Sequence, residues 1–158
     1  MFIKSIKLKN ITSHDDTEIE FQEGINVLLG QNGAGKSSVV KMIGHALFDH
    51  LPSTQSDYVS TFPGTPKSGK VTVKIITDDS QEYAITRNVG GNTKVKVKNT
   101  DTGSVLAEVT SVGRLKAWLK ETMGVEPQYD LDTIFENAIG VAQGTFTTPF
   151  LETQSKRE

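Results

Sequence analysis

Alternating hydrophobic and polar residues predict a pair of strands at the start of the chain. In "FIKSIKLKN", Ile6 and Leu8 fall on one face of a strand. Lys7 and Lys9 fall on the other face. "TEIEF" also alternates, and the intervening "NITSHDD" has the composition of a loop. The two segments are therefore expected to pair as antiparallel strands.

The hydrophobic period changes over the next segments. "INVLLG", at 25–30, is a nearly continuous apolar run, which is typical of a strand covered on both faces. From Lys36 onward the pattern becomes helical, and Pro52 is expected to stop the helix. The predicted apolar face of this helix consists of Val39, Val40, Ile43 and Leu47.

The middle of the chain is rich in strand patterns. "KVTVKII" and "QEYAITR" flank the turn "TDDS", and "TKVKVKN" and "SVLAEV" flank "TDTG". These patterns predict two hairpins that form a small antiparallel sheet. The preceding "YVSTFPGTPKSG" contains several Gly and Pro residues and is predicted to be an exposed loop.

Two helices are predicted after this block. Ser111 is expected to cap a helix that Gly124 ends. Its apolar face consists of Val112, Leu115, Leu119 and Met123. Either Asp130 or Asp132 starts a shorter helix through Ile134, Phe135 and Ala138. "IGVAQG" then predicts a brief strand, and the polar "LETQSKRE" looks like a helix cut part-way along.

Composition narrows the class of protein. The chain has 158 residues, which predicts about one domain. Its formal charge of −2 gives no global basic signal, so any nucleic-acid contact needs a local patch. The absence of cysteine excludes disulfides and cysteine metal sites within the chain and suits a reducing cytoplasm. No apolar stretch is long enough to span a membrane, and no membrane partner is expected.

The glycine-rich segment "LLGQNGAGKSS" carries the strongest chemical signal. Gly30-x-x-x-x-Gly35-Lys36-Ser37 between a strand and a helix predicts a phosphate-binding loop rather than a chance match in a turn. Lys36 is placed to neutralise the β and γ phosphates, Ser37 to bind Mg²⁺, and Ser38 to reach the α phosphate. The predicted nucleotide contacts in this segment are Asn32, Gly33, Ala34, Gly35, Lys36, Ser37 and Ser38.

A loop of this kind binds nucleotide but does not hydrolyse it. Hydrolysis also needs an acid that holds magnesium at a strand end and a base that activates water. The one candidate, "KIITDD", is interrupted by Lys74, and Asp78 with Asp79 fits a hairpin tip better. "VGGN" lacks the serine of an ATPase signature. The catalytic half is therefore expected outside this chain.

These motifs together resemble a known family. "GQNGAGKSS", preceded by two strands and followed by "AIGVAQGTF", resembles the N-terminal lobe of SMC-like ATPases. "NAIGVAQG" with "FLETQSKRE" is similar to the SbcC / Rad-fifty branch, which repairs DNA double-strand breaks. The resemblance implies an α/β fold: an ABC-type P-loop ATPase head lobe with a mixed sheet around the P-loop helix, an antiparallel β subdomain and the start of a coiled-coil helix. A single lobe would comprise a P-loop core at 1–50 and 110–147, a β-rich block at 70–110 and a coiled-coil entry at 148–158.

The resemblance also implies how such a lobe works. A C-terminal lobe would supply the magnesium-binding acid, the catalytic glutamate and the signature motif. Two heads would then sandwich two Mg-ATP molecules, bind double-stranded DNA and regulate a partner nuclease. Lys36 and Gln143 would be catalytic, and Gln143 would sense the γ phosphate through Mg²⁺ and the attacking water, although a strand-end glutamine can also be purely structural. The full protein would be an ATPase, inactive without the second lobe, in the cytoplasm at the nucleoid or in a nucleus.

One loop departs from the family's pattern. Where the break-repair branch usually has a basic residue that contacts nucleotide, this chain has Thr12 in "NITSH". Thr12 and Ser13 still offer hydroxyls to a ribose or phosphate, and both are predicted nucleotide contacts. His14 is predicted to be a surface loop histidine, and His45 and His50 to be structural.

A lysine stripe is the candidate DNA contact. Lys94, Lys96 and Lys98 alternate with valines, so a strand would place all three on one face. The alternative is a solvated sheet face. Arg87 and Lys74 are predicted to extend the patch.

Other functions remain open from the sequence. A true SMC-type chromosome-organising head and a DNA-tethering module that binds ATP without hydrolysis share the same loop. A small P-loop kinase or GTPase would need an acid on a neighbouring strand, and a GTPase also Asn-Lys-x-Asp, neither of which the sequence contains.

Overall fold

One antiparallel sheet organises the protein. The computed structural model describes residues 1–92 and 94–140. The strands are β1 (Phe2–Ile11), β2 (His14–Glu20), β3 (Gly69–Ile76), β4 (Glu82–Val89) and β5 (Val95–Asn99), and they pair in the order β2-β1-β3-β4-β5. The predicted β-rich block is therefore not a separate sheet. Its first strand pairs along β1, with Val71 opposite Leu8.

Helices cover the apolar face of this sheet. They are α1 (Lys36–Ile43), α2 (Val112–Met123) and α3 (Leu131–Ile134). A π-helical turn follows α1 at Gly44–Phe48, a second follows α3 at Phe135–Ile139, and a 3₁₀ turn lies at Gln55–Tyr58. The sheet contributes core residues such as Ile6, Leu8, Val71, Val73, Ile85 and Val97, and the helices contribute Met42, Leu47, Leu115, Leu119 and Leu131.

The ends of α2 and α3 follow the local signals in the sequence. The Ser111 hydroxyl accepts a hydrogen bond from the Arg114 amide, and Gly124 takes the left-handed conformation that closes α2, with φ of 66°. The Asp130 carboxylate accepts from the Asp132 amide at 3.3 Å, which makes Asp130 the cap of α3.

Helix α1 differs from its prediction in which residues it buries. Val39 and Met42 face the core, whereas Val40 is 41% exposed. Val40 lies about 100° around the helix from Val39, so the two cannot share a narrow buried stripe. The helical run ends at Phe48, where Asp49 takes a left-handed conformation with φ of 57°, before Pro52 is reached.

Two predicted strands are wrong. Residues 25–30 form no strand, and Ile25 is 96% and Leu29 88% exposed, because no strand of the described residues lies beside them. The segment "SVLAEV" makes only one bridge to β5, between Val105 and Lys98. It leaves the sheet because the Val109 amide donates to the Leu106 carbonyl in a turn.

Some expectations fall outside the described residues. Gln143, most of the predicted strand "IGVAQG" and the coiled-coil entry at 148–158 lie there. Among residues 1–92 and 94–140, no helix is both long and apolar enough to cross a membrane.

Candidate functional site

The glycine loop meets α1 with the backbone geometry of an anion site. Gly33 and Gly35 have φ of 83° and 87°, values that side-chain-bearing residues rarely adopt. Helix α1 begins at Lys36 immediately afterwards, and no acidic residue lies in its first turn. The unpaired amides of the helix start and its positive dipole end therefore face the loop.

A cleft of about 310 Å³ opens at this junction. It is lined by Thr12, Ser13, Asn32, Gly33, Gly35, Lys36, Ser37 and Ser38. These are the nucleotide contacts that the sequence predicts, except Ala34, which is exposed on the loop outside the lining. The β1–β2 turn thus forms one wall and the glycine loop the other.

The Lys36 side chain folds back across the loop. Its ammonium donates to the Gly30 and Gln31 carbonyls, both at 2.8 Å. A lysine ammonium has three protons, so one remains available for an anion in the cleft. The two hydrogen bonds hold the positive charge of Lys36 against the glycine loop.

The β1–β2 turn is tied directly to the start of α1. The Thr12 hydroxyl donates to the Ser38 hydroxyl oxygen at 3.0 Å. Thr12 has φ of 46°, which is strained for a β-branched residue, and its amide donates to the Tyr58 carbonyl at 2.9 Å. The hydroxyls of Thr12 and Ser38 are therefore held together at the cleft.

A family model agrees with this arrangement. The model described as an AAA domain, AAA_23, matches residues 5–157. The chain belongs to this family.

Among named relatives, a DNA double-strand break repair Rad50 ATPase of Sulfolobus acidocaldarius is 30% identical over 151 residues, which cover 95% of this chain and 16% of that protein. The one of Methanopyrus kandleri is 33% identical over 158 residues, covering 99% of this chain and 18% of that protein. The chain thus spans less than a fifth of the length of these relatives.

Solved structures show the same fold. The recombination mediator protein RecF with ATPrS matches with a TM-score of 0.58 and 25% identity, over 73% of this chain and 29% of that one. RecF with ATP matches with a TM-score of 0.55 and 24% identity, over 67% of this chain and 28% of that one. The predicted α/β P-loop ATPase fold and the predicted resemblance to break-repair ATPases are both confirmed.

In this AAA domain, His14 is not the surface residue that the sequence predicts. It is 8% exposed, and its Nε2 lies 3.2 Å from the Gly35 carbonyl oxygen. The burial arises because the turn folds onto the glycine loop, a contact between distant segments. Sequence reasoning missed this residue, and the only signal is its position beside Thr12 and Ser13.

The acidic pair at 78–79 stays away from the cleft, as the hairpin interpretation predicts. Asp78 and Asp79 lie in the turn between β3 and β4. Asp78 pairs with the N-terminal ammonium at 2.5 Å. Asp79 accepts a hydrogen bond from the Thr77 hydroxyl, which lowers the pKa of its carboxyl. Within 1–92 and 94–140, no cluster of three His, Cys, Asp or Glu residues is arranged to hold a metal.

The lysine stripe lies on the exposed face of the sheet. Lys96 and Lys98 project from β5 beside Thr86 and Ala84 of β4, and Lys94 immediately precedes the strand. No carboxylate of the described ranges lies within 4.0 Å of these three ammoniums. They therefore form an unpaired positive stripe at the β5 edge of the sheet.

The predicted extensions of this stripe behave differently. Lys74 is on the same face but pairs with Glu18 at 3.4 Å. Arg87 does not join it: its side chain is 1% exposed and lies on the core face. Its guanidinium donates to the His45 carbonyl and, at 2.7 Å, to Asp49. Burial is possible because these partners compensate the charge.

Proposed function

We propose that this chain is the ATP-binding lobe of a DNA double-strand break repair ATPase. One observation carries the proposal: the turn at Thr12 and Ser13 closes against the glycine loop and Lys36 to form a single cleft. Polyphosphate is the ligand class that suits backbone amides, an ammonium and a helix start. The names of the relatives that match along nearly the whole chain supply the biological context.

Magnesium is the expected partner of the nucleotide, and the residues present fit it. Ser37, whose side chain carries a hydroxyl, is one of the residues that line the cleft. Mg²⁺ commonly takes few protein ligands and completes its shell with phosphate oxygens and water. Ser37 would hold the ion, which would neutralise part of the phosphate charge. Gln143 remains a proposed second ligand and γ-phosphate sensor.

Hydrolysis would require a second lobe. The exposed apolar run at 25–30, with Val27 also 71% exposed, is an interaction surface by its composition. We place the C-terminal lobe of the same protein against it, where it would supply a neighbouring strand and the missing acids. ATP-dependent pairing of two such heads, and control of a partner nuclease, complete the proposal, with action in the cytoplasm at the nucleoid or in a nucleus.

Titration calorimetry with Mg-ATP tests the binding step. Lys36→Ala removes the charge at the loop and should weaken affinity about 10- to 100-fold, since a charged hydrogen bond is worth roughly 1.5–3 kcal/mol. Lys41→Ala removes a lysine from the same helix outside the cleft lining and serves as the matched control. Unchanged affinity in Lys36→Ala would refute the proposed nucleotide site.

Hydrolysis assays test the split head. The chain alone should bind ATP without turnover, and adding the C-terminal lobe should restore phosphate release. Turnover by the chain alone at the rate of the mixture would contradict the split. Binding with no turnover even in the mixture would favour the ATP-dependent tethering module.

The unpaired lysine stripe favours direct contact with double-stranded DNA. Replacing Lys94, Lys96 and Lys98 with Gln should weaken binding of a duplex and reduce the slope of log affinity against log salt by up to about 0.9 for each phosphate that is no longer neutralised. Lys7→Gln is the control, because Lys7 on the same face already pairs with Asp16 at 3.1 Å. An unchanged slope in the triple variant would remove the stripe from the interface.

A further inference from the structure

The His14 ring packs directly beneath the last glycine of the nucleotide loop. Because a carbonyl only accepts, the ring donates from Nε2 to the Gly35 oxygen at 3.2 Å. A side chain at Gly35 would overlap this ring and would lie 2.6 Å from the Ser13 hydroxyl. The absence of a side chain at Gly35 therefore makes room for the histidine as well as permitting the left-handed backbone.

This contact acts on a peptide group that belongs to the phosphate site. The Gly35 carbonyl and the Lys36 amide are the two ends of one planar peptide unit. A bond that holds the oxygen therefore also sets the direction of the Lys36 N–H. That N–H is one of the unpaired donors at the start of α1, at the cleft wall.

The helix alone holds this peptide from one side only. The Val39 amide donates to the same Gly35 oxygen at 3.2 Å, as the first hydrogen bond of α1. A carbonyl oxygen has two acceptor sites, and His14 occupies the second from the sheet. His14 is the first residue of β2, opposite Ile11 of β1, so the sheet itself anchors the loop.

We propose that His14 is a positioning residue for phosphate binding, which orients the Lys36 amide through the Gly35 carbonyl. This inference rests on the proposed nucleotide site and adds a residue that does not line its cleft. The hydrogen bond, rather than the volume of the ring, is the part of His14 that matters for affinity.

Two variants of similar size separate these contributions. His14→Leu fills the space without a hydrogen-bond donor. His14→Gln carries an amide N–H nearly as far from the backbone as the Nε2 of histidine. We expect His14→Leu to lose about fivefold in affinity for both Mg-ATP and magnesium pyrophosphate, the effect of one neutral hydrogen bond. His14→Gln should stay within about twofold of wild type. His50→Leu, at a histidine bonded to Asp132 away from the cleft, is the control and should not change affinity.

The outcomes are distinguishable from failure of the nucleotide site itself. If the wild-type chain does not bind Mg-ATP, the proposed function fails. If wild type binds and His14→Leu binds equally well, or if His14→Gln loses as much as His14→Leu, only the positioning role is overturned. A loss for Mg-ATP without a loss for pyrophosphate also overturns it, because the oriented amide faces phosphate.

A measurement on the unmodified protein guards against a variant that does not fold. Nitrogen-15 NMR of the His14 ring reports which nitrogen carries the proton in the neutral form. We expect the proton on Nε2. A neutral ring protonated on Nδ1 cannot donate to the Gly35 carbonyl and would overturn the inference without any variant.

Discussion

Lowering the pH from 7 to 5 should destabilise the fold by about 2 kcal/mol through one buried side chain, His45. Burial, with the neighbouring Arg87 charge as the second cause, lowers the pKa of His45 to about 4. The unfolded ring titrates near 6.5. Between these values the unfolded state binds more protons, so the stabilisation is complete above pH 6.5 and is lost as the pH falls towards 4.

Urea unfolding at each pH measures this loss. His45→Gln is the matched variant, because its amide can still donate to the Asn88 carbonyl, 3.3 Å from the ring nitrogen in the wild type, but does not titrate. Its stability should change much less between pH 7 and 5. The carboxyls with lowered pKa, such as that of Glu82, lose their contribution mainly below this window. A wild-type loss under about 0.5 kcal/mol, or an equal slope in His45→Gln, would refute the assignment.

Three further substitutions follow from local geometry. Gly35→Ala should abolish Mg-ATP binding in calorimetry, because φ of 87° and the His14 ring both exclude a side chain. Gly113→Ala, in the first turn of α2 with open space around the new methyl, should raise the free energy of unfolding by about 0.4–1 kcal/mol in urea, because alanine restricts the unfolded chain. Asp49→Asn tolerates the left-handed backbone but leaves the buried Arg87 charge without its carboxylate, and should cost about 1.5–3 kcal/mol in the same assay. Unchanged stability in either of the last two would contradict these reasons.

The features that could be predicted from sequence are those with local causes. Helix α2 begins and ends where Ser111 and Gly124 indicate, because capping involves only residues within one turn. Strands β1 and β3 were predictable because the alternation of hydrophobic and polar residues is also a local pattern, contained within each strand. The glycine loop is recognisable because its chemistry needs a fixed spacing within one segment.

The features that could not be predicted depend on contacts between distant segments. An apolar run such as 25–30 becomes a covered strand only where another strand lies beside it, and the described chain places none there. His14 is buried by a loop that follows it by about twenty residues. The position of Arg87 did carry a usable signal. It alternates with Ile85 and Val89, so it lies on the core face of β4, although its charge alone favoured exposure.

Strain at the end of β1 and in the turn that follows it links the cleft to a second loop. Asn10 and Thr12 both have left-handed backbones, with φ of 56° and 46°, and each costs of order 1 kcal/mol or more. Hydrogen bonds to the loop at 58–68 offset this cost. The side-chain amide of Asn10 donates to the Pro66 and Ser68 carbonyls at 2.6 and 2.8 Å, and the backbone amide of Thr12 donates to the Tyr58 carbonyl. The turn that places Thr12 and His14 against the glycine loop is thus held from outside the cleft. Loosening the loop at 58–68 should therefore release the nucleotide site before it unfolds the sheet, because β1 pairs along its length with β2 and β3 and meets that loop only at its end, through the bridge between Ile11 and Val59.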